Sequence, residues 1–188
     1  FSDDFSQGLA LIEATHPAFI NTDEFKAYVK GHLKITDDKG AKVYTLGHYS
    51  YRVSREDDHV SFEEWRYKNK DHRENGPAVI YYSTQSPHRV QSKDWYIKGN
   101  LHREDGPATI LYWTNSDVEK LVGWYKDGVF TRDDGPASTF RRQDGTLERE
   151  TWMYHGRKHR NDGPAVIIYE PDGQTIKSTE FWIHGKKQ

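Results

Sequence analysis

The feature that most constrains this chain is a unit of about thirty residues written four times. HRENGPAVIYY begins at His72, LHREDGPATILY at Leu101, TRDDGPASTF at Thr131 and HRNDGPAVIIY at His159. The motif glycines Gly76, Gly106, Gly135 and Gly163 are 30, 29 and 28 residues apart. Eleven residues before each stands a tryptophan, Trp65, Trp95, Trp124 and Trp152, and Trp182 reads as the opening of a fifth, truncated unit. A chain that repeats at this period folds as an array in which each unit completes the core of its neighbour.

The unit reads as β. Gly and Pro interrupt it every dozen residues, and the runs between them are short and rich in Val, Ile, Thr, Tyr and Trp. One strand carries the Trp-Tyr pair, as in residues 94 to 98, and the other follows Gly-Pro-Ala, as in residues 108 to 112. Lys98-Gly99-Asn100 and Lys126-Asp127-Gly128 have hairpin-turn chemistry. Asp105-Gly106-Pro107 and its copies make a second bend, in which glycine is expected to take a backbone angle closed to other residues. The third connection, residues 83 to 92 and its equivalents, varies in length. Alternation puts Ala78, Ile80 and Tyr82 on one face, matched by Ala108, Ile110 and Tyr112 and by Ala165, Ile167 and Tyr169. The opposite face holds Val79 and Tyr81, Thr109 and Leu111, Val166 and Ile168. Both faces therefore need cover, from curling, from the N-terminal segment or from a partner.

Residues 1 to 64 read differently. Leu9, Leu11 and Ile12 mark a short amphipathic stretch, and Asn21 with Glu24 resembles a capping box opening a helix through Phe25, Tyr28 and Val29 to Gly31. Strands return from His32 to Tyr67, broken at residues 37 to 40 and 55 to 58, and Asp38-Lys39-Gly40-Ala41 reads as a worn copy of the repeat bend. The expected organisation is a cap over 1 to 64 and four full units plus a truncated fifth over 65 to 188. The expected fold is mainly β, an elongated antiparallel repeat sheet with a short helical cap. Because the sequence opens at Phe1, more chain is expected to precede it.

The 188 residues contain no cysteine, which removes disulfides, thiolate metal sites and a cysteine nucleophile. The formal charge is −2 with both signs interleaved, so no global field recruits nucleic acid or a membrane surface. Only 34% of residues are hydrophobic but 14% are aromatic, so the interior is built from a few large rings. No apolar run is long enough to cross a bilayer as a helix.

The full unit, W-Y-x-x-G-x-x-H-R-x-D-G-P-A, resembles MORN-type repeats of the longer class over residues 65 to 188, and is similar to repeats in bacteriophage and large-virus proteins. It departs from the usual unit by the Arg-x-Asp inserted before Gly-Pro-Ala. The resemblance implies a single-layer antiparallel β assembly used for protein contact or dimerisation, without catalysis or cofactor, of viral origin and located in the host cytoplasm.

His72, His102 and His159 with their following arginines invite a catalytic or metal reading. Equivalent residues in side-by-side units lie about 10 Å apart, far beyond the span of imidazoles sharing one zinc. The expectation is instead that each histidine packs on the next unit and that Arg103, Arg132 and Arg160 pair with Asp105, Asp134 and Asp162, which also weakens them as an anion site. Thr131 replaces histidine without loss of the surrounding motif. Tyr81, Tyr96, Tyr125, Trp113 and Phe140 could stack on a base, nucleotide or sugar, and Trp113, which has no counterpart in the register, is the first candidate for ligand contact. No nucleophile elbow, phosphate loop, dinucleotide fingerprint or zincin motif occurs. The leading reading is a non-enzymatic protein-binding scaffold that self-associates or takes a protein partner. The alternatives are a sequesterer of a nucleotide or glycan acting for a virus against host defence, and an enzyme built on His16, His32 or His48.

Overall fold

A computed structural model describes residues 23–188. The first amphipathic stretch, Leu9 to Ile12, lies outside these residues. Helix α1 (Asp23–His32) is followed by β1 (Lys34–Asp38), β2 (Ala41–Leu46), β3 (Tyr49–Glu56), β4 (His59–Tyr67) and the short β5 (Lys70–Asp71). Each unit then adds two long strands and a small hairpin. In chain order these are β6 (Val79–Tyr82) and β7 (Val90–Asp94) with hairpin β8 (Tyr96–Ile97) and β9 (Asn100–Leu101); β10 (Thr109–Tyr112) and β11 (Glu119–Gly123) with β12 (Tyr125–Lys126) and β13 (Val129–Phe130); β14 (Ser138–Arg141) and β15 (Leu147–Thr151) with β16 (Met153–Tyr154) and β17 (Arg157–Lys158); and β18 (Val166–Tyr169) and β19 (Ile176–Glu180) with β20 (Trp182–Ile183) and β21 (Lys186–Lys187).

The molecule is mainly β, as its composition and period require. Twelve strands form one antiparallel path, β1-β2-β3-β4-β6-β7-β10-β11-β14-β15-β18-β19, with β5 paired beside β4. Each unit therefore advances the sheet by two strands, about 10 Å. The register slips by one residue at the same place in every unit, between Tyr81 and Tyr82, Leu111 and Tyr112, Phe140 and Arg141, and Ile168 and Tyr169. These bulges lie beside the variable connections.

The Trp-Tyr pair does not ride within one strand. The long strand ends one residue earlier, the chain bends at the tryptophan, and Tyr96 opens a separate hairpin. The bend is held by the tryptophan's own backbone: Trp95, Trp124 and Trp152 donate N–H to the carbonyls of Ala108, Ala137 and Ala165 at 2.7–2.8 Å, and Trp65, which stays inside β4, makes the same bond to Ala78 O at 2.8 Å. Those alanines are completely buried. The hairpin turns are built as expected, with both central residues at positive φ: Lys98 52° and Gly99 87°, Asp127 51° and Gly128 79°.

Helix α1 covers the predicted stretch and runs one residue past Gly31, while the proposed cap Asn21 and the candidate His16 lie outside the described residues. The N-terminal strands carry a third break, at Gly47-His48. Asp38-Lys39-Gly40-Ala41 is a tight hairpin turn, with Lys39 at 53° and Gly40 at 82°, so it copies the Lys-Gly turn rather than the Gly-Pro-Ala bend. Residues 64 and 65 both lie inside β4, and the sheet passes from the N-terminal strands into the repeats without interruption. The principal core sits at this junction: Val29, Tyr44, Leu46, Tyr51, Val53, Trp65 and Ile80. Tyr51 packs on Trp65 with ring centroids 4.8 Å apart.

Candidate functional site

Two surfaces follow from the repeat: the row of bends along one edge, and the open face of the sheet. At the bends the arginines are committed. The guanidinium carbons of Arg73, Arg103, Arg132 and Arg160 stand 3.9–4.3 Å from the ring centroids of Trp65, Trp95, Trp124 and Trp152. Arg103, Arg132 and Arg160 each donate Nε–H to Asp105, Asp134 and Asp162 at 2.7–2.9 Å, and Nη1–H to the proline carbonyl of the bend at 3.4–3.5 Å. The aspartates are held below the ordinary carboxylate range by these arginine hydrogen bonds. Each tryptophan is thus covered by a cation of its own unit.

This clamp explains the motif glycine. Of the four, only Gly76 has a positive φ, 146°. At the others the constraint is room, tightest at Gly106, where a Cβ would lie 2.7 Å from Arg103 Cζ; on Gly135 and Gly163 it would lie 3.0 and 3.2 Å from Arg132 and Arg160, which would have to give by a few tenths of an ångström. Gly106→Ala should therefore lower unfolding free energy by about 1–2 kcal/mol. The loss should shrink in an Arg103→Ala background, where nothing is left to displace, and chemical denaturation of the double-mutant cycle measures it.

The histidines tie units together, as the spacing argument requires. His72, His102 and His159 accept at Nδ1 from the N–H of Lys98, Asp127 and His184 in the following hairpin, at 3.3, 3.0 and 3.2 Å. At the third copy Thr131 Oγ1 accepts from His155 N–H at 3.3 Å, so the substituted residue keeps an acceptor in place. Among the described residues no group of three His, Asp or Glu converges as a metal site.

Two expectations are corrected. Trp182 is one residue out of register. Gln188 N–H bonds to Phe181 O as His159 N–H bonds to Trp152 O, which places Phe181 in the tryptophan position and Trp182 in that of Tyr96. The Trp182 ring lies beside Lys158 and Lys187, at 4.6 and 5.9 Å, and donates Nε1–H to Glu180. Trp113 does have counterparts: Ser83, Arg142 and Glu170 each follow the slipped strand as it does. Trp113 donates Nε1–H to Arg141 O at 3.0 Å, and Arg142 donates to Tyr169 O at 2.9 Å, so two unlike side chains reach the equivalent carbonyl of the next unit. Trp113 is half-buried, edge-on to Phe140 at 6.2 Å and covered by Lys120. The hydrogen-bond pattern, not residue identity, reveals this equivalence.

Tyr96 and Tyr125 are half-buried in their hairpins, and burial pushes both phenols up. Tyr125 stacks on Phe130 at 4.8 Å. A Cβ on Gly123 would meet Thr109, Tyr125 and Phe130 at 2.7–3.8 Å, so this hairpin folds onto the sheet over the row Asp94, Thr109, Gly123. The next row on the same face is open at Tyr81, Leu111 and Arg149, half-buried at Phe62, Leu121, Phe140 and Ile168, and closed at Ser92. Phe62, Tyr81, Ser92, Leu111, Leu121, Phe140, Arg149 and Ile168 are consecutive cross-strand partners. Tyr81 is 48% and Leu111 38% exposed, whereas Val79, on the covered row, is 7% exposed. The sequence placed Tyr81, Leu111 and Ile168 on this face. It did not join them to Phe62, Leu121 and Phe140 of other strands.

No family model matches this chain, and no curated protein does. Among solved structures, 84% of the chain aligns with 27% of a point mutant of S. aureus TarM, in complex with fondaparinux, alpha-GlcNAc-glycerol and UDP, at 8% identity and a TM-score of 0.22. The chain spans about a quarter of that protein's length, and so loose a likeness carries no argument. No helix among the described residues is long and apolar enough to cross a membrane.

Proposed function

We propose that the chain is a non-enzymatic protein-binding scaffold whose contact surface is the open row of the sheet, and that a second copy of the chain occupies it. The observation that carries this reading is the row itself. From Phe62 to Ile168 it crosses seven strand gaps, about 34 Å, and its apolar side chains are interrupted by Ser92 and Arg149. Large apolar stripes rimmed by polar residues mark contact sites. Two copies related by a twofold axis would lay the same stripe on itself, with the aromatic end of one over the Ile168 end of the other. The reading of the array as MORN-like belongs to the same proposal and rests on the repeated motif and the one-layer antiparallel sheet. Size-exclusion chromatography with light scattering should give a dimer for the native chain and a monomer for Leu111→Glu and Phe140→Glu, with unchanged circular dichroism. A monomer at high concentration would remove the surface from this role.

A further inference from the structure

The two outermost strands of the described sheet are bare. Every residue of β1 is exposed, as are all but the last of β19, and each strand has a neighbour on one side only. Each also exposes an apolar side chain, Ile35 at 44% and Ile176 at 55%. Unpaired edges of this kind recruit further strands unless something prevents it. Here the two edges fit each other.

The path has twelve strands, an even number, and is antiparallel throughout, so β1 and β19 run in opposite directions. A second copy carried along the sheet would present its β1 antiparallel to β19 of the first, continuing the alternation. Both strands are five residues long. Aligned end to end, Lys34 falls opposite Glu180, Ile35 opposite Thr179, Thr36 opposite Ser178, Asp37 opposite Lys177 and Asp38 opposite Ile176. The faces agree as well: Thr36 continues the Val43, Arg52, Glu64 row, and that row leads by Val79 to Glu180, two residues from Ser178 on the same side.

We propose that copies of this chain add head to tail through β1 and β19, making one continuous antiparallel ribbon. The pairing is heterologous and the sheet twists, so the product is an open-ended screw rather than a closed ring. Backbone hydrogen bonds supply the attraction, and the facing charges set the register and exclude wrong partners. The pair that decides the register is Asp37 with Lys177. Glu180 is already shared by Lys158, Lys187 and Trp182, and Lys177 meets Glu170 only at 3.9 Å. A twofold pairing of β1 with itself would set Lys34 opposite Asp38 and Ile35 opposite Asp37 twice each; it would stop at two copies, which separates it from head-to-tail growth. This surface is separate from the open row of the scaffold reading, and either can fail without the other.

Sedimentation velocity across a concentration series, with electron microscopy of the most concentrated samples, tests the proposal. A background of Leu111→Glu removes face-to-face association first. In that background the chain should show open-ended growth, and Lys177→Glu should weaken it on the order of tenfold, since like charges placed directly opposite repel. Asp37→Lys should do the same. Combining both changes in one chain, or mixing the two single variants, should restore contact. Asp37 and Lys177 lie on the exposed outer strands and Leu111 is exposed on the face of an inner strand, and circular dichroism confirms that the fold is kept. Growth indifferent to Lys177→Glu, a species that stops at two copies, or a monomer throughout would each overturn the proposal.

Discussion

Replacing Trp65 by alanine is expected to lower the unfolding free energy by about 3–5 kcal/mol, the largest effect of any single tryptophan truncation in the array. Trp65 is 5% exposed and lies inside the junction core, between Tyr51 on β3 and the guanidinium of Arg73. Its removal would open a ring-sized cavity where α1, the N-terminal strands and the first unit meet. The same change at Trp124, flanked by complete units, also reads from sequence as a loss of 3 to 5 kcal/mol if the ring is buried between neighbours. The structure leaves that ring half-buried beneath Arg132, so its truncation should cost less, about 2–3 kcal/mol. Urea denaturation of the two variants side by side gives the comparison. Equal losses would mean that the junction is no better packed than the middle of the array.

Arg73→Ala is expected to cost about 2–3 kcal/mol, more than the equivalent change in any later unit. The first unit has Asn75 where the others have aspartate, so this arginine lacks the exposed partner that satisfies Arg103, Arg132 and Arg160. It covers Trp65 at 3.9 Å, donates to Pro77 O at 3.2 Å and faces Glu63 from the interior of the sheet. Burial pushes the Glu63 carboxyl up, and a hydrogen bond from Tyr51 and the charge of Arg73 draw it back. Without the arginine a half-buried carboxylate keeps only the weaker pull of Arg55 and the Tyr51 hydrogen bond; its partial exposure keeps the loss below that of a fully buried broken pair. Glu63→Gln should recover part of it. The pH dependence has a definite sign. A carboxyl whose folded pKa lies above its unfolded value contributes stability that is complete below the unfolded value and is lost as pH rises through the folded one. Removing Arg73 raises the folded value further. The gap between native chain and variant should thus narrow between neutral pH and about pH 4.5, and denaturation at the two pH values reads it directly.

The repeat, its period, its β character and the positions of its turns are written in local sequence. Asp127-Gly128 makes a hairpin turn wherever it sits, because the backbone angles of a turn depend on residues two or three apart. The pairing of Arg103 with Asp105 is legible for the same reason. The helix over residues 23 to 32 is likewise legible in its local pattern. What covers each surface was settled only by the tertiary structure. Gly106 looks like a residue chosen for its φ, but it is glycine because a guanidinium from three residues earlier lies across it. Trp182 looks like a fifth copy, but one shifted hydrogen bond moves it to another position. Trp113 looks unmatched, yet it does the work that Arg142 does in the next unit. Tyr81 and Leu111 are open while Val79 is closed, because the small hairpins reach the first row of the sheet and not the second. A linear motif records what neighbours in the chain do to one another; the reach of a hairpin across a face is fixed only when strands far apart in sequence have taken their register.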